Sequence, residues 1–159
     1  MRRGAAAGLV LLLGCGGDGA GPAPASGATV EYREEAPGEE SLLVTVSAGG
    51  ALTALRERPR GDCPDVHDAR CWARERGAGR LDPGEQRALD AALAALDPAA
   101  VAREEAVAPG AARLQLVAAR AGGRVEVLAS CDSALRDPRV GAIRDLLRAA
   151  AARVLPPGP

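Results

Sequence analysis

The sequence predicts an α+β domain, a small antiparallel sheet of four or five strands with two main helices on one face. Three observations predict it. Period-two apolar alternation recurs in Ser41–Ser47 and in the pair Ala112–Ala119 and Arg124–Ser130, the last two joined across Ala121-Gly122-Gly123. Two amphipathic stretches open on Asp-Pro, at Asp82-Pro83 and Asp137-Pro138. The order is two or three strands, a helix, two strands and a helix, which lacks the strict alternation of a parallel βαβ sheet.

The chain begins with Arg2 and Arg3 and an apolar stretch, Ala5 to Gly14, that ends at Cys15. At ~1.5 Å per residue this stretch would span about 15 Å as a helix, half a hydrocarbon core, so residues 1–14 read as an export signal and not as a membrane span. Leu12-Leu13-Gly14-Cys15 resembles the lipobox of bacterial lipoproteins. That resemblance implies a diacylglyceryl thioether on Cys15, cleavage just before it, acylation of the new N-terminus, and a domain held outside the cytoplasm in the bacterial cell envelope. Two or more acyl chains anchor stably where one only visits the membrane. An ordinary secretory signal with an incidental cysteine is the alternative. Gly14, Gly16 and Gly19 spell G-x-G-x-x-G, but after a signal core and without a following helix the spelling has no dinucleotide meaning.

Residues 15–40 are rich in Gly, Ala and Pro and read as a lipidated cysteine with a flexible tether, leaving 41–155 as the compact domain and 156–159 as a tail. The net charge is −1, and all 20 cationic residues are arginine, which GC-rich coding writes by default. Losing Arg2 and Arg3 leaves 18 arginines against 21 acids, about −3. Acids alternating with arginines, and only Tyr32 and Trp72 available to stack a base, exclude nucleic acid as a partner.

Within the domain, Leu42, Val44 and Val46 face one side of an extended segment and Leu43 and Thr45 the other. Gly49-Gly50 turns the chain into a weaker return strand, Ala51–Glu57, and a short third strand is expected around Trp72 to Leu81. Asp82-Pro83-Gly84-Glu85 is a helix start with a capping side chain, a proline at the first position and a glutamate able to reach back. Leu89, Ala92, Leu93 and Leu96 then form its apolar stripe. Asp97-Pro98 predicts a shorter helix through about Glu105. After the 112–130 hairpin, Val140, Ile143, Leu147, Ala150 and Val154 form the stripe of a last helix stopped by Pro156-Pro157. With no Phe, one Trp and one Tyr, the core depends on Leu, Val and Ala and is thin.

Cys63, Cys71 and Cys131 remain once Cys15 is assigned to lipid, an odd number in a compartment that favours disulfides. Three pairings are open. Cys63 and Cys71 flank a loop expected to bring them within bridging range, and a bridge to Cys131 is the second possibility. A metal or thiol role for Cys63, His67, Cys71 and Cys131 is the third reading. It is limited by geometry, because on one straight helix Cys63 and Cys71 would stand about 12 Å apart, too far to share a zinc ion. On the disulfide reading, His67 is a solvent-exposed loop residue. No catalytic constellation is visible: Ser130, Ser133 and Cys131 lack a base at any suggestive spacing, and Glu34-Glu35, Glu39-Glu40 and Glu104-Glu105 read as solvated carboxylates.

From Ser41 to Leu155 the order of elements resembles that of small domains of the emfourin family, inhibitors of protealysin. The resemblance is carried by the Gly-turned first hairpin, Gly79-Arg80-Leu81-Asp82-Pro83 leading into Leu89, Leu93 and Leu96, the Arg113 to Ser130 hairpin, and the terminal helix with Ile143 and Leu147. The Cys63 to Cys71 insertion departs from it, as does the lack of aromatic residues after the first helix and in the later hairpin. What it implies is a domain able to block a metalloprotease, with no inhibitory residue assigned. The expected function is therefore a lipid-anchored, non-catalytic binding or protease-inhibitor-like module without a cofactor. Its expected partners are the membrane, through Cys15, and a secreted protease or other envelope protein. The alternative is an envelope thiol or metal-binding protein using the Cys63-His67-Cys71 segment.

Overall fold

A computed structural model describes residues 27–61, 68–97, 107–121 and 123–157. Six strands form one antiparallel sheet: β1 (Thr29–Glu35), β2 (Ser41–Val46), β3 (Ala51–Pro59), β4 (Trp72–Arg80), β5 (Arg113–Arg120) and β6 (Gly123–Ser130), in spatial order β4-β3-β2-β1-β5-β6. Helix α1 (Pro83–Ala95) connects β4 to β5, and a single turn of helix, α2 (Cys131–Ala134), precedes the long α3 (Pro138–Val154). A short 3-10 turn, Ala69–Cys71, leads into β4. The helix expected from Asp97-Pro98 falls largely outside the described residues.

The α+β class and the two main helices on an antiparallel sheet are as expected, but the strand number is not. The sixth strand is β1, which lies wholly inside the segment expected to be tether. It occupies a central position, pairing with β2 (Tyr32 opposite Val44) and with β5 (Tyr32 opposite Leu116). The sheet therefore already includes Thr29–Glu35, upstream of the Ser41 expected to open the domain. Composition was misleading here because the strand is short and flanked by Gly, Ala and Pro. Of its three inward positions only Val30 and Tyr32 are apolar, and the third is Glu34.

Cross-strand rows explain the core. Gly77, Ala54, Val44, Tyr32, Leu116 and Val127 form one row across all six strands, and Gly79, Leu52, Val46, Val30, Ala118 and Val125 form the next. Both face the helices, against which Leu89, Leu93, Val140, Ile143 and Leu147 are fully buried. The glycines at the β4 end are required by packing: a Cβ on Gly77 would lie 2.1 Å from the Val154 carbonyl oxygen. Among the described residues no helix covers the opposite face, where Leu43, Leu55 and Val117 sit half-buried among Thr, Arg and Glu.

Helix α1 starts as expected. Asp82 Oδ1 accepts from the amides of Gly84 (2.7 Å) and Glu85 (2.8 Å), while Glu85 Oε2 accepts from the Asp82 amide at 2.9 Å. Arg153 of α3 also donates to Glu85, at 2.7 Å from Nη2 to Oε2. Asp82→Ala is expected to cost ~1 kcal/mol, a fall in Tm of about 4 °C measurable by circular dichroism. The other end of α1 carries no basic residue of its own in the last turn. Guanidiniums from distant elements serve it instead: Arg120 donates to the Leu93 carbonyl, and Arg139 donates to the Ala95 carbonyl at 2.8 Å.

Candidate functional site

The chain enters the described structure at Gly27, at the end of the sheet that holds the β2–β3 turn and the start of α1. There the Ala48 carbonyl and the Gln86 side chain crowd Gly27, and the Ala28 amide donates to Asp90 Oδ1. The far end is about 20 Å away along the seven residues of β1, at ~3.3 Å per residue. At that far end lie the β1–β2 turn, the start of β4 with Trp72, the start of β5, and Cys131. Two clefts open there, one on each face of the sheet.

On the helix side, Tyr32, Glu34, Arg144 and Arg148 form a network at the margin of the core. Tyr32 Oη donates to Glu34 Oε2 at 2.6 Å, Arg144 Nη2 donates to Glu34 Oε1 at 3.0 Å, and Arg148 Nη1 donates to Glu34 Oε2 at 2.7 Å. The strand's inward alternation places Glu34 next to Tyr32's side of the sheet, and the four-residue spacing of the arginines puts both on one face of α3. Burial alone would raise the Glu34 pKa, but the hydrogen bonds from Arg144, Tyr32 and Arg148 outweigh it and hold the carboxyl at about 2. Burial, then the bond to Glu34, pushes the Tyr32 phenol far above its ordinary value. Cys131 borders the same cleft of about 280 Å³. Its thiol is free, and burial and then the Glu34 charge push its pKa up, so it is largely protonated and a weak nucleophile near neutral pH.

Glu34 corrects the reading of the Glu34-Glu35 pair as solvated tether. Its carboxylate is mostly buried and engaged by two guanidiniums. No local signal could have shown this, because both arginines lie more than 100 residues further along the chain.

On the open face, the second cleft is a trough of about 490 Å³. Its floor follows one register row across five strands: Arg74, Glu57, Ser41, Glu35 and Arg113. Trp72 on β4 and Pro37 and Glu39 of the β1–β2 turn complete its walls. Sequence reasoning missed the trough because its row collects one residue from each of five separate strands.

Of the residues singled out in the sequence, Cys15, Cys63 and His67 lie outside the described residues. Cys71 is buried and disulfide-bonded. Since Cys131 is free, the bridge to Cys131 does not form. A sulfur held in a disulfide supplies no thiolate, so Cys71 is lost as a metal ligand. Among the described residues no group of three or more His, Cys, Asp or Glu side chains is placed to hold a metal ion, and no helix is long and apolar enough to cross a membrane. The chain matches no protein-family model, no curated protein and no solved structure.

Proposed function

We propose that the protein is a lipid-anchored, non-catalytic binding module of the bacterial cell envelope, tethered through Cys15 and engaging its partner with the end of the sheet remote from Gly27. The observation that carries the reading is the state of the titratable groups gathered around the helix-side cleft. Tyr32 is held protonated, Glu34 is held ionised by three donors, and Cys131 is pushed toward the thiol. Each is shifted away from proton transfer or nucleophilic attack near neutral pH, whereas a catalytic acid or base is tuned toward it. The network works as a brace between β1 and α3.

The lipobox-like Leu12 to Cys15 motif supports the anchor. With Gly27 and Ala28 packed against the sheet and α1, the tether reading of the composition leaves Gly16 to Ser26, 11 residues, between lipid and domain. A flexible Gly-rich chain of that length would reach roughly 17–20 Å, enough to keep the far end of the sheet clear of the headgroups. A disulfide between Cys63 and Cys71 would close the loop that leads into β4. The partner class left by the sequence reading is an envelope protein or a secreted metalloprotease.

Metabolic labelling with an alkyne palmitate tests the anchor: the wild-type chain should be labelled and found with membranes, and Cys15→Ser unlabelled. An unlabelled wild-type chain in the soluble interior of the cell would remove the localisation and with it the role. The inhibitor version is tested by titrating the protein against thermolysin-like proteases, where unchanged activity at micromolar concentration eliminates it.

A further inference from the structure

We infer that the open-face trough at the far end of the sheet is a binding site for a short zwitterionic peptide. Of the charged groups lining it, Glu57 is closed by Arg74 at 2.6 Å and Glu35 by Arg33 at 3.2 Å. Glu39, on the turn that borders both clefts, and Arg113 line the same trough and make no ion pair among the described residues. One unpaired carboxylate and one unpaired guanidinium in a single trough complement a ligand carrying one ammonium and one carboxylate. Arg113 starts β5 level with Glu35, and Glu39 lies in the turn joining β1 and β2, one to two strand spacings (roughly 5–10 Å) across the sheet and just past its end. That span suits the termini of a di- or tripeptide, at ~3.3 Å per extended residue.

The remaining wall fits the peptide's body. Trp72, Pro37, Ala36, Ala69 and Ala111 supply the apolar surface, and about 490 Å³ is within the range that encloses a small ligand. The carboxylate would take the planar Arg113 fork and the ammonium the Glu39 carboxylate, with the side chains against Trp72. This inference rests on the binding-module reading and specifies a ligand for the end of the sheet that reading assigns to partners.

The test uses the full chain in detergent with the tripeptide Ala-Leu-Ala, its N-acetyl form and its C-terminal amide. Trp72 is the only tryptophan, so its fluorescence reports on the trough alone. A saturable change with free Ala-Leu-Ala is expected, weakened about tenfold or more by either cap. Glu39→Gln should lose the penalty of the acetyl cap, and Arg113→Gln that of the amide, because each variant has already removed the matching contact. Both residues are exposed, so neither change threatens folding. The absence of a fluorescence change at millimolar free peptide, or equal binding of all three peptides, overturns the inference. Lipid labelling and protease titration are indifferent to this result, so the anchored-module reading stands or falls separately.

Discussion

Glu34→Ala is expected to lower the unfolding free energy by ~3 kcal/mol and to flatten its dependence on acid. The cost arises from what remains. Tyr32 stays almost completely buried with its hydroxyl deprived of the carboxylate it donates to, and two guanidiniums lose the carboxylate that joins α3 to the sheet. Part of the charge effect is screened, since Arg148 is 41% exposed, which keeps the figure at the lower end for a broken ion-pair network. The direction with pH follows from a folded pKa of about 2 against 4.5 for the free side chain. A depressed carboxyl adds stability that is fully present above pH 4.5, fades as pH falls from 4.5 toward 2, and is absent below. Urea unfolding at steps between about pH 7 and pH 2 should show the wild type losing ~2 kcal/mol more than the variant across that window. Parallel curves would show that Glu34 does not hold the brace.

The second large effect is expected at Gly77. Its β4 position faces the end of α3, and a side chain there would meet the Val154 carbonyl oxygen at 2.1 Å, its carbon at 2.5 Å and the Leu155 nitrogen at 3.0 Å. All three are backbone atoms, so no rotamer change relieves the overlap and the helix end must lift from the sheet. Gly77→Val should cost ~3 kcal/mol or more and expose the stripe that ends in Val154. Gly141 offers a control in the same helix, because a β-carbon added there would meet nothing within 4 Å. Gly141→Ala should therefore stabilise by ~0.5–1 kcal/mol through helix propensity alone. Opposite shifts in the urea midpoint are the expected outcome. A Gly77→Val protein as stable as wild type would mean that α3 does not dock on β4 as closely as described.

The elements that could be read from the chain were those whose signal is local. The Asp82 capping box uses groups three residues apart, the β5 and β6 segments flank a Gly-Gly pair in the sequence, and the α3 stripe repeats every three or four residues. All three stand where the sequence places them. The Trp72 to Leu81 strand, expected short, runs nine residues as β4, because pairing with β3 supports small residues that have little strand preference of their own. Cys131 illustrates the opposite case: its sequence neighbours do not reveal whether it is bridged, buried or reactive, since Glu34 and Arg144 set its environment from other elements.

By itself the sequence determined the α+β class, the caps and stripes of the two main helices and the final hairpin. Those features rest on side chains acting within a turn or two of themselves. Only the tertiary structure decided that Thr29–Glu35 is a central strand, that Glu34 joins it to α3, and that five strands build a trough below Trp72. Each of these depends on partners from remote segments. An inward carboxylate reads as a solvated one until the arginines that neutralise it are brought alongside by the fold.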